Sequence, residues 1–190
     1  GGYLAQVTSA ENEITTSYVG VNDAGFAIMN SIAYDLATAL PTSHGILMKR
    51  ALRECGSVAD FEALLNESSG ARGHIWSNFG VIDRYGEAAI FEANDWEHRR
   101  YDADSEGGYV VRANNSVWGG GDLGSRYERA RLLIADAIAA DRLDHRNMVQ
   151  VLSKDIGGPP SMPCGEWPTD EPALSRYLTR AAVIVHGVLP

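Results

Sequence analysis

Two asparagines stand at the ends of apolar runs, where a side-chain amide can take part in chemistry. Asn30 follows the run 26–29, and Asn114 follows the run 109–113. An amide held at a strand end can hydrogen-bond a substrate or a developing oxyanion. Arg126 opens a predicted helix, where the helix dipole disfavours a cation, so we expect it to have a specific partner. Taken singly, the three residues also fit plainer roles: a satisfied core amide, a turn former and a solvated helix residue.

Other chemistry finds little support in the sequence. The Gly-rich loop 119–124 lacks both the Gly-Lys-Ser/Thr of a phosphate loop and the glycine spacing of a dinucleotide fingerprint. The five histidines show no paired spacing on one helix, which disfavours a zinc site. Glu87 and Glu92 are expected on opposite faces of one strand, so they do not form a carboxylate pair. The sequence therefore predicts no metal and no cofactor.

Cys55 and Cys164 are the two cysteines, and neither has an adjacent basic residue or an evident histidine partner. Both are therefore expected to be inert rather than activated nucleophiles. They could pair in an oxidising compartment or remain thiols. The sequence does not fix the compartment, with a secreted or periplasmic location slightly favoured over a cytoplasmic one.

The spacing of apolar residues and the turn-forming residues predict the strands and helices that position these side chains. Residues 22–25 form an Asn-Asp-Ala-Gly turn, and residues 26–29 are predicted as a strand buried on both faces. Ser57, with Asp60 three residues on, marks a helix N-terminus. The order of elements predicts an α+β layered domain. The predicted strands are 7–17, 18–21, 26–34, 75–82, 87–93, 98–101, 109–113 and 181–188, and the predicted helices are 46–54, 57–65, 125–140 and one starting at Asp144.

The length, composition and net charge limit the kinds of protein and partner that the chain fits. With 190 residues, 45% hydrophobic and 22% charged, the chain is expected to form a single globular domain, residues 1–190. A net charge of −9 argues against nucleic acid or an anionic membrane as a partner. No apolar run approaches the ~20 residues needed to cross a bilayer.

Taken in order, several segments resemble the linear amide C–N hydrolases of the choloylglycine hydrolase and penicillin-acylase-like type, including the acyl-CoA:6-aminopenicillanic acid acyltransferases. These enzymes are N-terminal nucleophile (Ntn) hydrolases. The series spans nearly the whole chain, and no single motif in it is diagnostic. The matching segments are 20–30, 78–83 with Gly86, 91–92, 108–114, 125–130 and 182–187.

The resemblance implies a four-layer αββα sandwich and a mechanism in which an N-terminal cysteine attacks the carbonyl of a small N-acyl amide. It implies that Asn30 helps to hold the oxyanion and that Asn114 fixes the nucleophile's α-amine or the oxyanion. Arg126 would complete the polar cluster around the nucleophile. Tyr34 and Trp118 are expected in the apolar pocket wall, and a homo-oligomer would be typical of the family.

The chain departs from this pattern at its start, because Gly1-Gly2 cannot act as a nucleophile. We expect the nucleophile segment to precede Gly1 or to lie in a second chain, with closing strands after Pro190, and the 190-residue chain alone to be inactive. Two alternatives stay open. One is an inactive domain of the same fold that binds a small ligand or a protein partner, and the other is an unrelated hydrolase that uses Cys164.

Overall fold

The structure is a computed structural model that describes residues 2–10, 13–36, 44–70, 75–145 and 148. These residues divide into two compact units, one ending at Asp122 and the other starting at Leu123. Each unit is described by itself below.

The first unit is built on a six-stranded antiparallel sheet whose spatial order equals its order in the chain. The prediction of one strand at 7–17 is wrong. These residues belong to two strands that pair with each other, with Val7 opposite Ser17. Folding the run back lets both halves satisfy their backbone groups in one ladder. The strands are β1 (Tyr3–Ala10), β2 (Glu13–Asn22), β3 (Ala27–Ile32), β4 (Ser77–Ile82), β5 (Ala88–Ala93) and β6 (His98–Asp102).

The predicted turn between β2 and β3 is confirmed, and Asn22 organises it. Its Oδ1 accepts from the N–H of Phe26 (2.9 Å), while its Nδ2 donates to the carbonyls of Leu52 (3.1 Å) and Cys55 (2.7 Å). Gly25 takes a φ of +83°, and a Cβ on it would lie 2.8 Å from the Cβ of Arg84. One side chain thus ties the turn to the C-terminal end of the helix His44–Glu54.

Two helices, α1 (His44–Glu54) and α2 (Val58–Glu67), are inserted between β3 and β4. The predicted N-cap of α2 is confirmed, since the Oγ of Ser57 accepts from the N–H of Asp60 (3.1 Å). The carboxylate of Asp60 accepts in return from the N–H of Gly56 (2.9 Å). Local polar signals therefore define where α2 begins.

Both helices pack on one face of the sheet, and Phe61 of α2 lies at the centre of that contact. Its ring centroid is 6.1 Å from that of Phe26, 5.7 Å from Phe79 and 5.4 Å from Phe91. Tilted and edge-to-face contacts of this kind add to the energy of apolar burial. We call this side of the sheet the helix-covered face and the opposite side the second face.

Met29 corrects one sequence prediction. Phe26, Ala27 and Ile28 are buried, but Met29 is 40% exposed. Strand alternation turns Met29 to the second face, away from the helices. The strand is therefore not buried on both faces along its whole length.

The second unit contains α3 (Ser125–Ala139), which agrees with the helix predicted at 125–140. Its buried side chains are Tyr127, Ile134 and Ala137. The helix predicted from Asp144 is described only at His145 and Met148, both helical, and the strand predicted at 181–188 lies outside the described residues. Within the described part of the chain, no helix has the length and apolarity needed to span a membrane. The described elements make a mixed α+β fold.

Replacing Asn22 with alanine should lower the free energy of unfolding by about 2 kcal/mol, because two carbonyls and one N–H lose their partner. Urea unfolding followed by circular dichroism measures the change. Asn66→Ala, on the exposed surface of α2, is the control and should stay within about 0.5 kcal/mol of the parent. Equal effects of the two variants would contradict the role given to Asn22.

Candidate functional site

A row of polar side chains crosses the second face of the sheet. Ser31 on β3 pairs with Asn78 on β4, Asn78 with Glu92 on β5, and Glu92 with Arg99 on β6. Directly opposite residues of antiparallel strands share a face, so the four side chains are neighbours. Asn78 and Glu92 are both buried, and Glu92 stands on an otherwise apolar strand. We call these four residues the polar row.

Residues 112–118, the crossing segment, run over the polar row and are bound to it. Asn78 Nδ2 donates to the carbonyls of Ala113 (3.2 Å) and Asn115 (3.1 Å), and Ser31 Oγ donates to the carbonyl of Ala113. The strand predicted at 109–113 is therefore wrong. After β6 the chain passes through a turn in which Gly107 and Gly108 have φ of +87° and +101°. The crossing segment then lies over the face of the sheet, where side chains of the sheet hydrogen-bond it, and it does not pair with a strand at the sheet edge.

Glu92 is the most deeply buried member of the row, with no exposed surface. Its carboxylate accepts from Arg112 Nε and from the backbone N–H groups of Val117 and Trp118, both at 2.8 Å. A charge taken out of water is tolerated only with a full set of donors. All three of these donors come from the crossing segment.

Arg112 compensates the charge of Glu92 inside the protein. Its side chain is 2% exposed and also donates to Glu106, at 3.0 and 2.6 Å. Burial acts to lower the pKa of Arg112, but hydrogen bonds and attraction from Glu106 and Glu92 outweigh burial and raise that pKa above its ordinary value. The guanidinium lies over the ring of Tyr101, 4.4 Å from its centroid.

Burial and the nearby Glu92 carboxylate raise the pKa of Tyr101, so its hydroxyl stays protonated at neutral pH.

A second carboxylate holds the C-terminal part of the crossing segment. Asp35, in the 3₁₀ turn Tyr34–Leu36 that follows β3, accepts from the N–H (2.8 Å) and the Oγ (2.7 Å) of Ser116. The Oγ of Ser116 accepts in turn from the N–H of Gly119 (2.8 Å). A Cβ on Gly119 would collide with the Asp35 carboxylate, so this approach requires glycine.

Three of the residues selected from the sequence meet at the end of β3. Asn114 lies in the middle of the crossing segment; its carbonyl accepts from the N–H of Tyr34 (3.0 Å), and its Nδ2 donates to the carbonyl of Ile32 (3.3 Å). Tyr34 is 58% exposed, and its ring centroid is 5.6 Å from that of Trp76. Trp118 packs against the small apolar cluster that contains Trp76. Tyr34, Asn114 and Trp118 therefore border one surface.

Asn30 and Arg126 are not part of that arrangement in the first unit. Asn30 pairs with Phe79 and so lies on the helix-covered face, where its Nδ2 is 3.5 Å from the Oγ of Ser77. Its Oδ1 is buried without a hydrogen-bond partner. The sheet separates Asn30 from the crossing segment. Arg126 lies in the first turn of α3 and belongs to the second unit.

Sequence reasoning missed Glu92, Asn78, Asp35 and Arg112 as members of a site. The signal for Glu92 was present, because a single charge interrupts the apolar run Ala-Ala-Ile-Phe-Glu-Ala. A buried charge predicts a partner but does not say where in the chain that partner lies. Arg112, 20 positions away, could be matched to it only through the sheet register and the path of the crossing segment.

Cys55 has the properties of an inert thiol. It is buried, and burial together with the negative charges of Asp60 and Glu54 raises its pKa to about 12. Among the residues that the structure describes, no three His, Cys, Asp or Glu side chains group as metal ligands would. Cys164 lies outside the described residues.

No model of a known protein family matches this chain, and no curated protein matches it at a significant level. The functional assignment therefore depends on the residues themselves and on the resemblance given above.

The Cys55 thiol should react with a thiol reagent about 1,000-fold more slowly in the folded protein than in the unfolded one at pH 7.5. A pKa raised from 9.0 to about 12 reduces the thiolate fraction by that factor, since each pKa unit is tenfold. The rate of Ellman's reagent with a Cys164→Ser variant isolates Cys55. Equal rates with and without denaturant would contradict the inert state.

Proposed function

We propose that this chain is part of an Ntn-type enzyme that hydrolyses, or transfers the acyl group from, a linear amide C–N bond in a small N-acyl substrate. The observation that carries the proposal is the fixation of Asn114. Bonds from Asn78 hold the carbonyls on both sides of it, and bonds to Glu92 and Asp35 hold the segment farther out. An amide that is rigid before substrate arrives is what electrostatic stabilisation of an oxyanion requires.

The layering of the first unit also supports the proposal. An antiparallel sheet with helices on one face is one half of an αββα sandwich. Leu4, Val21 and Met29 lie on the second face, as their strand pairing implies, and are 77%, 39% and 40% exposed. Exposed apolar side chains on one face favour packing by a further layer. In the proposed fold a second β-sheet covers them.

In this mechanism the nucleophile is the thiolate of an N-terminal cysteine outside the 190 residues. It attacks the amide carbonyl, and the C–N bond then breaks as the leaving amine takes a proton passed on by the cysteine's α-amine. The resulting thioester is cleaved by water or by an acceptor amine. Asn114 would hydrogen-bond the α-amine or the oxyanion, whereas Asn30 lies on the opposite face of the sheet and would not reach the same group.

The apolar surface at the end of β3 suggests where an acyl group would bind. Tyr34 offers an exposed ring beside Trp76, and Trp118 packs on the same small cluster. Arg99 lies over Trp118, 4.9 Å from the ring centroid. This surface could accept an apolar acyl chain next to Asn114, with the scissile amide directed toward the crossing segment.

An Asn114→Ala variant of the full-length natural protein should lose about 100- to 1,000-fold in kcat, the usual effect of removing one oxyanion donor. The assay uses N-acetyl, N-octanoyl and N-phenylacetyl amides of a fluorogenic amine. Asn115→Ala is the matched control, since its side chain donates away from Asn114 to the carbonyl of Asp122, and it should stay within about threefold of the parent.

Intact mass and N-terminal sequencing of the same protein test the nucleophile. A mature chain that begins with cysteine, together with turnover of at least one of these amides, is the expected result. A protein that hydrolyses none of them, or in which Asn114→Ala retains full activity, would contradict the proposed function.

A further inference from the structure

We propose that Glu92 is a positioning residue whose carboxylate fixes where Asn114 lies. The proposal concerns a residue to which the resemblance assigns no role. Its importance for catalysis rests on the proposed function, but the structural claim can be tested without any substrate.

The contacts of Glu92 bracket Asn114 on both sides. Arg112 donates to Glu92 from before Asn114, and the N–H groups of Val117 and Trp118 donate to it from after Asn114. The segment between these contacts is too short to move while both ends are held. One buried side chain on β5 therefore holds the crossing segment on both sides of Asn114.

Asp83 shows what a carboxylate with a purely structural role looks like in this fold. It is buried like Glu92, but its carboxylate accepts from three backbone N–H groups, those of Val58, Tyr85 and Glu87. Two of these donors lie in its own turn, and the third lies at the start of α2. Three donors of Glu92, by contrast, lie 20 to 26 positions away, in the segment that carries Asn114.

Glutamine at position 92 would preserve the shape of the side chain and reverse part of its hydrogen bonding. One carboxylate oxygen becomes an NH₂ group, which would face N–H donors of Arg112, Val117 or Trp118. The buried charge of Arg112 would also lose its closest partner. Both changes favour displacement of the crossing segment from the polar row.

The experiment compares Glu92→Gln with Asp83→Asn in the full chain by backbone amide NMR. Glu92→Gln should shift or broaden the amide signals of Asn114, Val117 and Trp118. Asp83→Asn, the matched control, should confine its changes to the surroundings of Val58, Tyr85 and Glu87. Unchanged Asn114, Val117 and Trp118 signals in Glu92→Gln would overturn the proposal, whether or not the protein is an enzyme.

Two further measurements complete the test. If Glu92→Gln does not fold, Glu92→Asp retains the charge but retracts it, and the same three signals should move; unchanged signals would again overturn the proposal. In a protein with amide hydrolase activity, Glu92→Gln should lower kcat about 10- to 100-fold with KM within about threefold, because Asn114 acts on the reacting atoms. If Glu92→Gln shifts the NMR signals but keeps the kcat of the parent, the claim that Glu92 affects catalysis is wrong. If the parent protein has no activity, only the proposed function is contradicted.

Discussion

The burial of the Glu92 carboxylate is the constraint on which the site depends. Desolvating an ion costs several kcal/mol even after the protein relaxes, so the group must be surrounded by donors. Here Arg112 and the N–H groups of Val117 and Trp118 donate from one segment that forms neither helix nor strand, and the Tyr101 side chain on β6 also hydrogen-bonds Glu92. Closing this segment over the sheet is therefore what makes the buried charge tolerable, and the charge in turn keeps the segment closed.

The two faces of the sheet serve different physical purposes. On the helix-covered face, Phe61 and its aromatic neighbours fill a dry core that fixes the strands in register. A slip of one residue would turn every core side chain to the other face, so this register is strongly specified. The same register aligns Ser31, Asn78 and Glu92 on the second face. Apolar packing on one side thus positions polar chemistry on the other.

Elements with local signals were predictable from the sequence. The turn at Gly25 needs a positive φ, and the start of α2 carries its own cap in Ser57, so neighbouring residues were sufficient to find both. The position of Asn114 at the end of an apolar run was also informative. The structure places Asn114 beside the end of β3, where its carbonyl accepts from the N–H of Tyr34.

What the sequence did not reveal depends on contacts between distant residues. Residues 109–113 have the composition of a strand, yet the carbonyl of Ala113 accepts from the side chains of Ser31 and Asn78 on the face of the sheet. Met29 and Asn30 face opposite sides of β3, and only the pairing with β4 shows which side the helices cover. The link between Asp35 and Ser116 spans 81 positions, and no local pattern encodes it.

Hydrogen exchange of the wild-type full chain tests the central claim most directly. If Glu92 holds the crossing segment, the amides of Val117 and Trp118 should exchange at least about 100-fold more slowly than that of the exposed Gly121, despite lying outside helices and strands. Exchange of Val117 and Trp118 as fast as that of Gly121 would mean that the carboxylate does not hold the segment, and the account of the site would be wrong.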